Sequence, residues 1–200
     1  MHDGYIFTLG ICGTAAASSP APALLGAMLV ALPPVKRAAY LGDVLRLNGS
    51  RDLPHPTHDK LLDEVLADLH DAELLLIVSP IFFHPVTHAV SIPARMQHLL
   101  ERARTLPAAA LRDKWAVLVS LANPHHAHLV QQLDPAQHPL HTFCAAVGIT
   151  VVASHHVATD TTDRDTAQVL QALLADKART AYSLIRTHYP DALPPPDAFH

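Results

Sequence analysis

Basic residues are few and scattered. The 200-residue sequence carries 14 lysines and arginines against 18 aspartates and glutamates, a formal net charge of −4, and no basic run longer than Lys36-Arg37. Nucleic-acid phosphates call for a basic excess on one face, so no nucleic-acid partner is expected. Cysteine is as scarce. Cys12 and Cys144 are too few for a disulfide framework in a chain of this length, and a reduced, cytoplasmic setting is expected. The start, Met1-His2-Asp3-Gly4, lacks the positive region of a secretory signal. The apolar stretch 21–32 falls short of the roughly 20 residues that span a bilayer, so it reads as a buried helix and no membrane partner is expected.

What is present in quantity is apolar sequence. Half of the residues are hydrophobic, and a chain of this size can bury roughly 70% of its unfolded surface. Short apolar runs alternate with helical segments. Residues 5–12 form the first run, followed by a helix over 21–32 that Pro33-Pro34 stops. A weak strand is expected over 37–41 and a loop over 48–58, where Gly49, Pro54 and Pro56 fall. Leu61, Leu62, Val65, Leu66 and Leu69 predict an amphipathic helix over 59–71. The runs 73–78 and 115–121 read as strands buried on both faces. Between them come a loop over 79–91 and a helix over 92–104, with Pro93 in its first turn. One or two helices over 125–133 and 135–147 end at Gly148, a natural helix stop. A strand over 149–153 and a long helix over 163–188 follow, and the proline-rich tail 189–200 is expected to be poorly ordered. Strand and helix alternate about five times, which predicts one α/β domain over 1–188, a five-stranded parallel sheet with helices on both faces.

Ligands of such sheets bind beyond the carboxyl ends of the strands, where three loops lie. Gly13-Thr14-Ala15-Ala16-Ala17-Ser18-Ser19 is small and rich in hydroxyls and precedes a helix. That composition suits a phosphate cradle, although an ordinary serine cap would use the same residues. No lysine follows the glycine as it does in nucleotide-binding P-loops. Ser79-Pro80-Ile81-Phe82-Phe83-His84 brings two aromatics that either flank a flat ring or pack on the sheet. Ser120-Leu121-Ala122-Asn123-Pro124-His125 is the third. The 16 histidines are spread along the whole chain. His84 with His88, and His125 with His126 and His128, cluster near the same edge without a recognised metal motif, so no metal site is expected. His155-His156 reads as solvent-facing or structural.

In series, these segments resemble the NADPH-dependent FMN reductase family of flavodoxin-like flavoproteins, from residue 6 to about residue 157. The first loop matches the family's Gly-Ser-x-Arg-x-x-Ser. Ser79-Pro80-Ile81-Phe82 matches its Ser/Thr-Pro-x-Tyr. Pro93-Ala94-Arg95-Met96-Gln97-His98-Leu99-Leu100-Glu101-Arg102 matches, in register, the helix that follows. Leu111-Arg112-Asp113-Lys114-Trp115 fits a Leu-x-x-Lys before a strand, and the stretch 143–152 fits the helix-glycine-strand beyond it. The resemblance implies a flavodoxin-like three-layer sandwich. It implies FMN as cofactor and NAD(P)H as co-substrate, with hydride passed to the flavin and electrons on to a small acceptor such as free flavin or a quinone. Gly13, Thr14, Ser18 and Ser19 would hold the FMN phosphate. Pro80, Ile81, Phe82, Phe83 and Asn123 would line the ring, with no catalytic side chain required. A homodimer or homotetramer is implied too, in part through the helix over 92–104.

The sequence also departs from the family. Ala16 stands where the family has arginine. A charged hydrogen bond contributes about 1.5–3 kcal/mol, so its loss weakens FMN binding roughly ten- to hundredfold. Phe82 replaces tyrosine, the loop after Phe83 is about five residues longer than usual, and the third loop lacks glycine. A flavodoxin-like scaffold or binding subunit that no longer binds FMN is therefore a rival reading, and a histidine-based metal hydrolase is a weaker third.

Overall fold

The computed structural model describes residues 4–16, 18–41, 59–84, 87, 89–158 and 164–193. The loop expected over 48–58, His88 and residues 194–200 lie outside them. The main sheet has five strands: β1 (Thr8–Cys12), β2 (Lys36–Tyr40), β3 (Leu74–Pro80), β6 (Trp115–Ala122) and β7 (Thr150–Ala158). Their spatial order is β2-β1-β3-β6-β7 and every pairing is parallel. Parallel neighbours need crossover connections, and the helices between them cover both faces. The expected three-layer α/β sandwich is what the chain forms.

Alternation along the strands sorts the core into two halves. On one face Leu75, Ile77 and Leu118 pack with Leu62, Val65, Met96 and Phe143. These come from α2 (Lys60–Asp71), α3 (Ala94–Ala103) and α6 (Pro139–Val147). On the other face Leu74, Leu76, Val117 and Val119 meet Leu25 and Met28 of α1 (Ala21–Val30) and Leu174 and Ile185 of α7 (Arg164–His188). Met96, Leu99 and Leu100 of α3 are all buried in the chain's own core. Asp59 caps α2 by accepting from the Leu62 amide, and Arg95 of α3 donates to the same carboxylate at 2.7 Å, tying the starts of the two helices together. At the opposite, amino end of the sheet, Lys114 is buried, and its ammonium donates to the carbonyls of His70 and Ala72.

Four details differ from the sequence expectation. The stretch 79–91 contains an antiparallel hairpin, β4 (Phe82–His84) with β5 (Ala89–Ser91), where a loop was expected. β7 continues to Ala158, past the expected end at residue 153, after a register shift opposite Ala116/Val117. The helix expected over 125–133 is a short 3-10 turn, Pro124–His126, and then α5 (Ala127–Gln131). The first residues of the expected tail are packed: Ala192 is buried, and the Leu193 amide donates to the Gly4 carbonyl at 2.8 Å.

Just past the carboxyl end of β1, Gly13 lies against β3. The Gly13 amide donates to the Val78 carbonyl, and a Cβ on Gly13 would lie 2.5 Å from Ser79 Oγ and 3.2 Å from Ser79 Cα. Gly26, inside α1, has nothing within 4 Å of that position. Gly13→Ala is expected to lower unfolding stability by about 1–3 kcal/mol through overpacking. Gly26→Ala should raise it by roughly 0.5–1 kcal/mol through helix propensity. Urea unfolding of the two variants measures both.

Candidate active-site edge and histidine cluster

The three loops leave the sheet side by side. Cys12 pairs with Val78, and Pro80 with Leu121. The Ile81 amide then donates to the Leu121 carbonyl at 2.8 Å. Gly13, Pro80 and Asn123 therefore start their loops at one edge, as the parallel ladder requires.

In the first loop the hydroxyls have separate tasks. Thr14 is only 3% exposed, and its Oγ1 accepts from the Ala16 amide at 3.1 Å. Ser19 Oγ accepts from the Ala21 amide at 3.2 Å, at the mouth of α1. Ser18 is exposed. An accepting hydroxyl still has its own proton to donate. Ser18 and the half-buried Ser19 thus present hydroxyls near a helix amino end, whose partial positive charge favours an anion, with Thr14 packed beneath them. Small residues and hydroxyls at that place are chemically compatible with a phosphate group, and no arginine stands among them.

In the second loop Ile81 is turned into the core at 4% exposure, so only its backbone lies at the edge. Phe82 is 51% exposed. Phe83, on the other face of the hairpin, places its ring 5.4 Å from that of His126, joining the hairpin to the third loop. Asn123 is exposed and turns its side chain back on its own loop, accepting from the His125 amide at 3.0 Å. Pro80, Phe82, Phe83 and Asn123 are thus brought to one edge with Gly13, Thr14, Ser18 and Ser19. His84 bonds to Ser91 within the hairpin, at 2.9 Å.

Neither cysteine is primed as a nucleophile. Burial raises both thiols, Cys144 to about 12, and Cys12 donates to the Thr14 carbonyl.

A second polar feature, between α6 and β7, centres on His138, which the sequence reading does not single out. His138 is 1% exposed and caps α6: its Nδ1 accepts from the Leu140 amide. The ring proton is therefore on Nε2, which donates to the buried Ser120 Oγ at 2.8 Å. The rings of His141 and His156 stand 5.3 and 5.5 Å away, and His141 bonds to Ser154. His155 and His156 sit within β7 on opposite faces, each with one buried ring nitrogen that lacks a hydrogen bond. His-Pro at a helix start was the available sequence signal, hidden among so many other histidines. Among the described residues, no group of three or more His, Cys, Asp or Glu side chains is arranged to hold a metal ion.

Burial, with His141 and His156 alongside, drives the His138 pKa down from 6.5 to about 4. Its folded value lies below its unfolded one, so its contribution to stability is complete above about pH 6.5 and is lost as pH falls through about 4. The loss attributable to this residue is about 3 kcal/mol. His138→Asn keeps an acceptor for the cap and removes the titration, and should flatten that part of the stability curve measured by urea unfolding between pH 7 and pH 4.

The arrangement defines a class: a flavodoxin-like α/β protein whose loops open at the carboxyl edge of a parallel sheet. Residues 8–163 match the model of the NADPH-dependent FMN reductases, and the chain belongs to that family. A comparison with curated proteins finds no match. The fold is shared with an NADH:FMN oxidoreductase in its apo form (TM-score 0.57, 17% identity, covering 88% of this chain and 89% of that one). It is also shared with an NADPH-quinone reductase from P.pentosaceus (TM-score 0.59, 12% identity, 87% and 97%). A third similar structure is a flavodoxin variant from Pseudomonas aeruginosa (TM-score 0.56, 14% identity, 88% and 99%). Among the described residues, no helix is long and apolar enough to cross a membrane.

Proposed function

We propose that the protein is an FMN-dependent NAD(P)H oxidoreductase of the cytoplasm that passes electrons to a small acceptor. The observation that carries this reading is the hydroxyl-lined turn at the mouth of α1, joined at one edge by the other two loops, in a chain of this family. Bound FMN would supply hydride acceptance and onward electron transfer. The protein's own part is to bind and orient. Thr14, Ser18 and Ser19 donate to the phosphate, and the absence of an arginine at position 16 leaves that task to hydroxyls and the helix end. Pro80, Phe82, Phe83 and Asn123 form the walls around the ring, and Phe83 is braced by His126. Nothing in this scheme requires an acid, a base or a nucleophile on the protein.

Ser18→Asp places a negative charge in the cradle. It should weaken FMN binding by about a hundredfold or more, through like-charge repulsion and a lost donor. The far-UV circular dichroism should not change, because Ser18 is exposed. Titration of both proteins against FMN by flavin fluorescence is the check. Equal affinity in the two removes the cradle assignment. If the unmutated protein takes up no FMN at all, the scaffold reading, which Ala16 favours, replaces the reductase.

A further inference from the structure

At the amino end of the sheet, opposite the loops described above, a groove runs between the ends of α3 and α6 and the short helix α4 (Ala108–Leu111). Its volume is about 320 Å³, within the range of small-molecule sites, roughly 300–1,000 Å³. Leu106, Pro107, Leu111 and Val147 give it apolar walls, and Arg104 and Arg112 line it as well. Among the described residues no aspartate or glutamate lines it.

The two arginines stand apart from most others in the chain. Arg37, Arg95, Arg102 and Arg179 each meet a carboxylate, respectively Glu64, Asp59, Asp63 and Asp176. Arg104 and Arg112 form no ion pair or side-chain hydrogen bond with the described residues. In an acidic protein, two arginines on the lining of one groove, neither meeting a carboxylate among the described residues, give that groove a positive character. The carboxyl ends of α3 and α6 supply partial negative charge, about half an elementary charge each, which helps to seat the arginines and is less than the charge they carry. The stem of Arg112 lies over Gly148, which is in the left-handed region at φ +81°: a Cβ there would stand 3.2 Å from Arg112 Cγ. A guanidinium is a planar fork that takes a carboxylate through two parallel hydrogen bonds.

We propose that this groove binds a small amphipathic anion, an aromatic or branched carboxylate, with its charge on Arg104 and Arg112 and its apolar body against Leu106, Leu111 and Val147. The site is separate from the loop edge and does not depend on the flavin reading.

The probe is 1-anilinonaphthalene-8-sulfonate, added to the full-length protein in the presence of excess FMN, with benzoate as competitor. Expected are saturable fluorescence, displacement by benzoate, and weakening with salt. Affinity should fall about tenfold or more in R104E/R112E, as the loss of charge-assisted bonds implies. R186E, which reverses an exposed charge on α7, should bind as the unmutated protein does. Circular dichroism establishes that R104E/R112E is folded; if it is not, R104Q and R112Q are measured singly and each should weaken binding. Equal probe affinity in the folded variants overturns the proposal, as does failure of benzoate to compete. Absence of probe binding to the unmutated protein overturns it too, and a dimer that becomes monomeric in R104E/R112E would then assign the groove to a second copy of the chain.

Discussion

The hydrogen-bonded ladder that joins β1, β3 and β6 is the constraint on which the rest depends. Leu74 to Val78 and Ala116 to Leu121 are buried on both faces, so these strands have no open surface except at their ends. Parallel direction then puts all three carboxyl ends at one edge. The loops that carry hydroxyls, aromatics and Asn123 meet there because the ladder leaves them nowhere else to emerge. Gly13 follows from the same constraint, since Ser79 fills the space a side chain would need.

The two ends of the sheet carry opposite problems of charge. At the carboxyl edge the first loop has no arginine, and its polar groups are the hydroxyls of Thr14, Ser18 and Ser19 beside a helix start. At the amino edge Lys114 is buried, and burial pulls its pKa down while Glu73 and Asp71 oppose that shift. Its ammonium is held by two backbone carbonyls. The histidine cluster between α6 and β7 is a third solution: the groups stay neutral, with His138 satisfied on both ring nitrogens by the Leu140 amide and Ser120. Buried polar groups are tolerated where their hydrogen bonds are made, and this one is.

The layers were legible in the sequence because central strands of a parallel sheet read as unbroken apolar runs, and Leu61 to Leu69 keep a clean helical period. The hairpin of β4 and β5 was not. Its strands are three residues each, and Pro85 between them reads as a loop. The end of β7 was hidden for another reason. His155-His156 reads as either solvent-facing or structural, and the register with Val119 and Ser120 places both inside the strand. In the candidate site, the composition of the first loop was readable, but not the division of tasks among Thr14, Ser18 and Ser19. Ile81 could not be placed from its neighbours either, because whether it faces the core or the edge depends on how Pro80 leaves the ladder.

The connectivity of the sheet also bears on how the chain folds. Glu73 accepts from the Phe7 amide across 66 residues of sequence, at the very start of the β1–β3 pairing. Each pairing in the main sheet is parallel and closes over a crossover, and among the described residues the one local hairpin, β4–β5, lies outside that sheet. Loop-closure entropy must therefore be met before the central ladder returns any contact energy. Such topologies reach the native state slowly, and their unpaired strand edges stay open to other chains in the meantime. In this chain β3 has a strand on each side, β1 and β6, so two backbone edges of one apolar strand depend on partners distant in sequence.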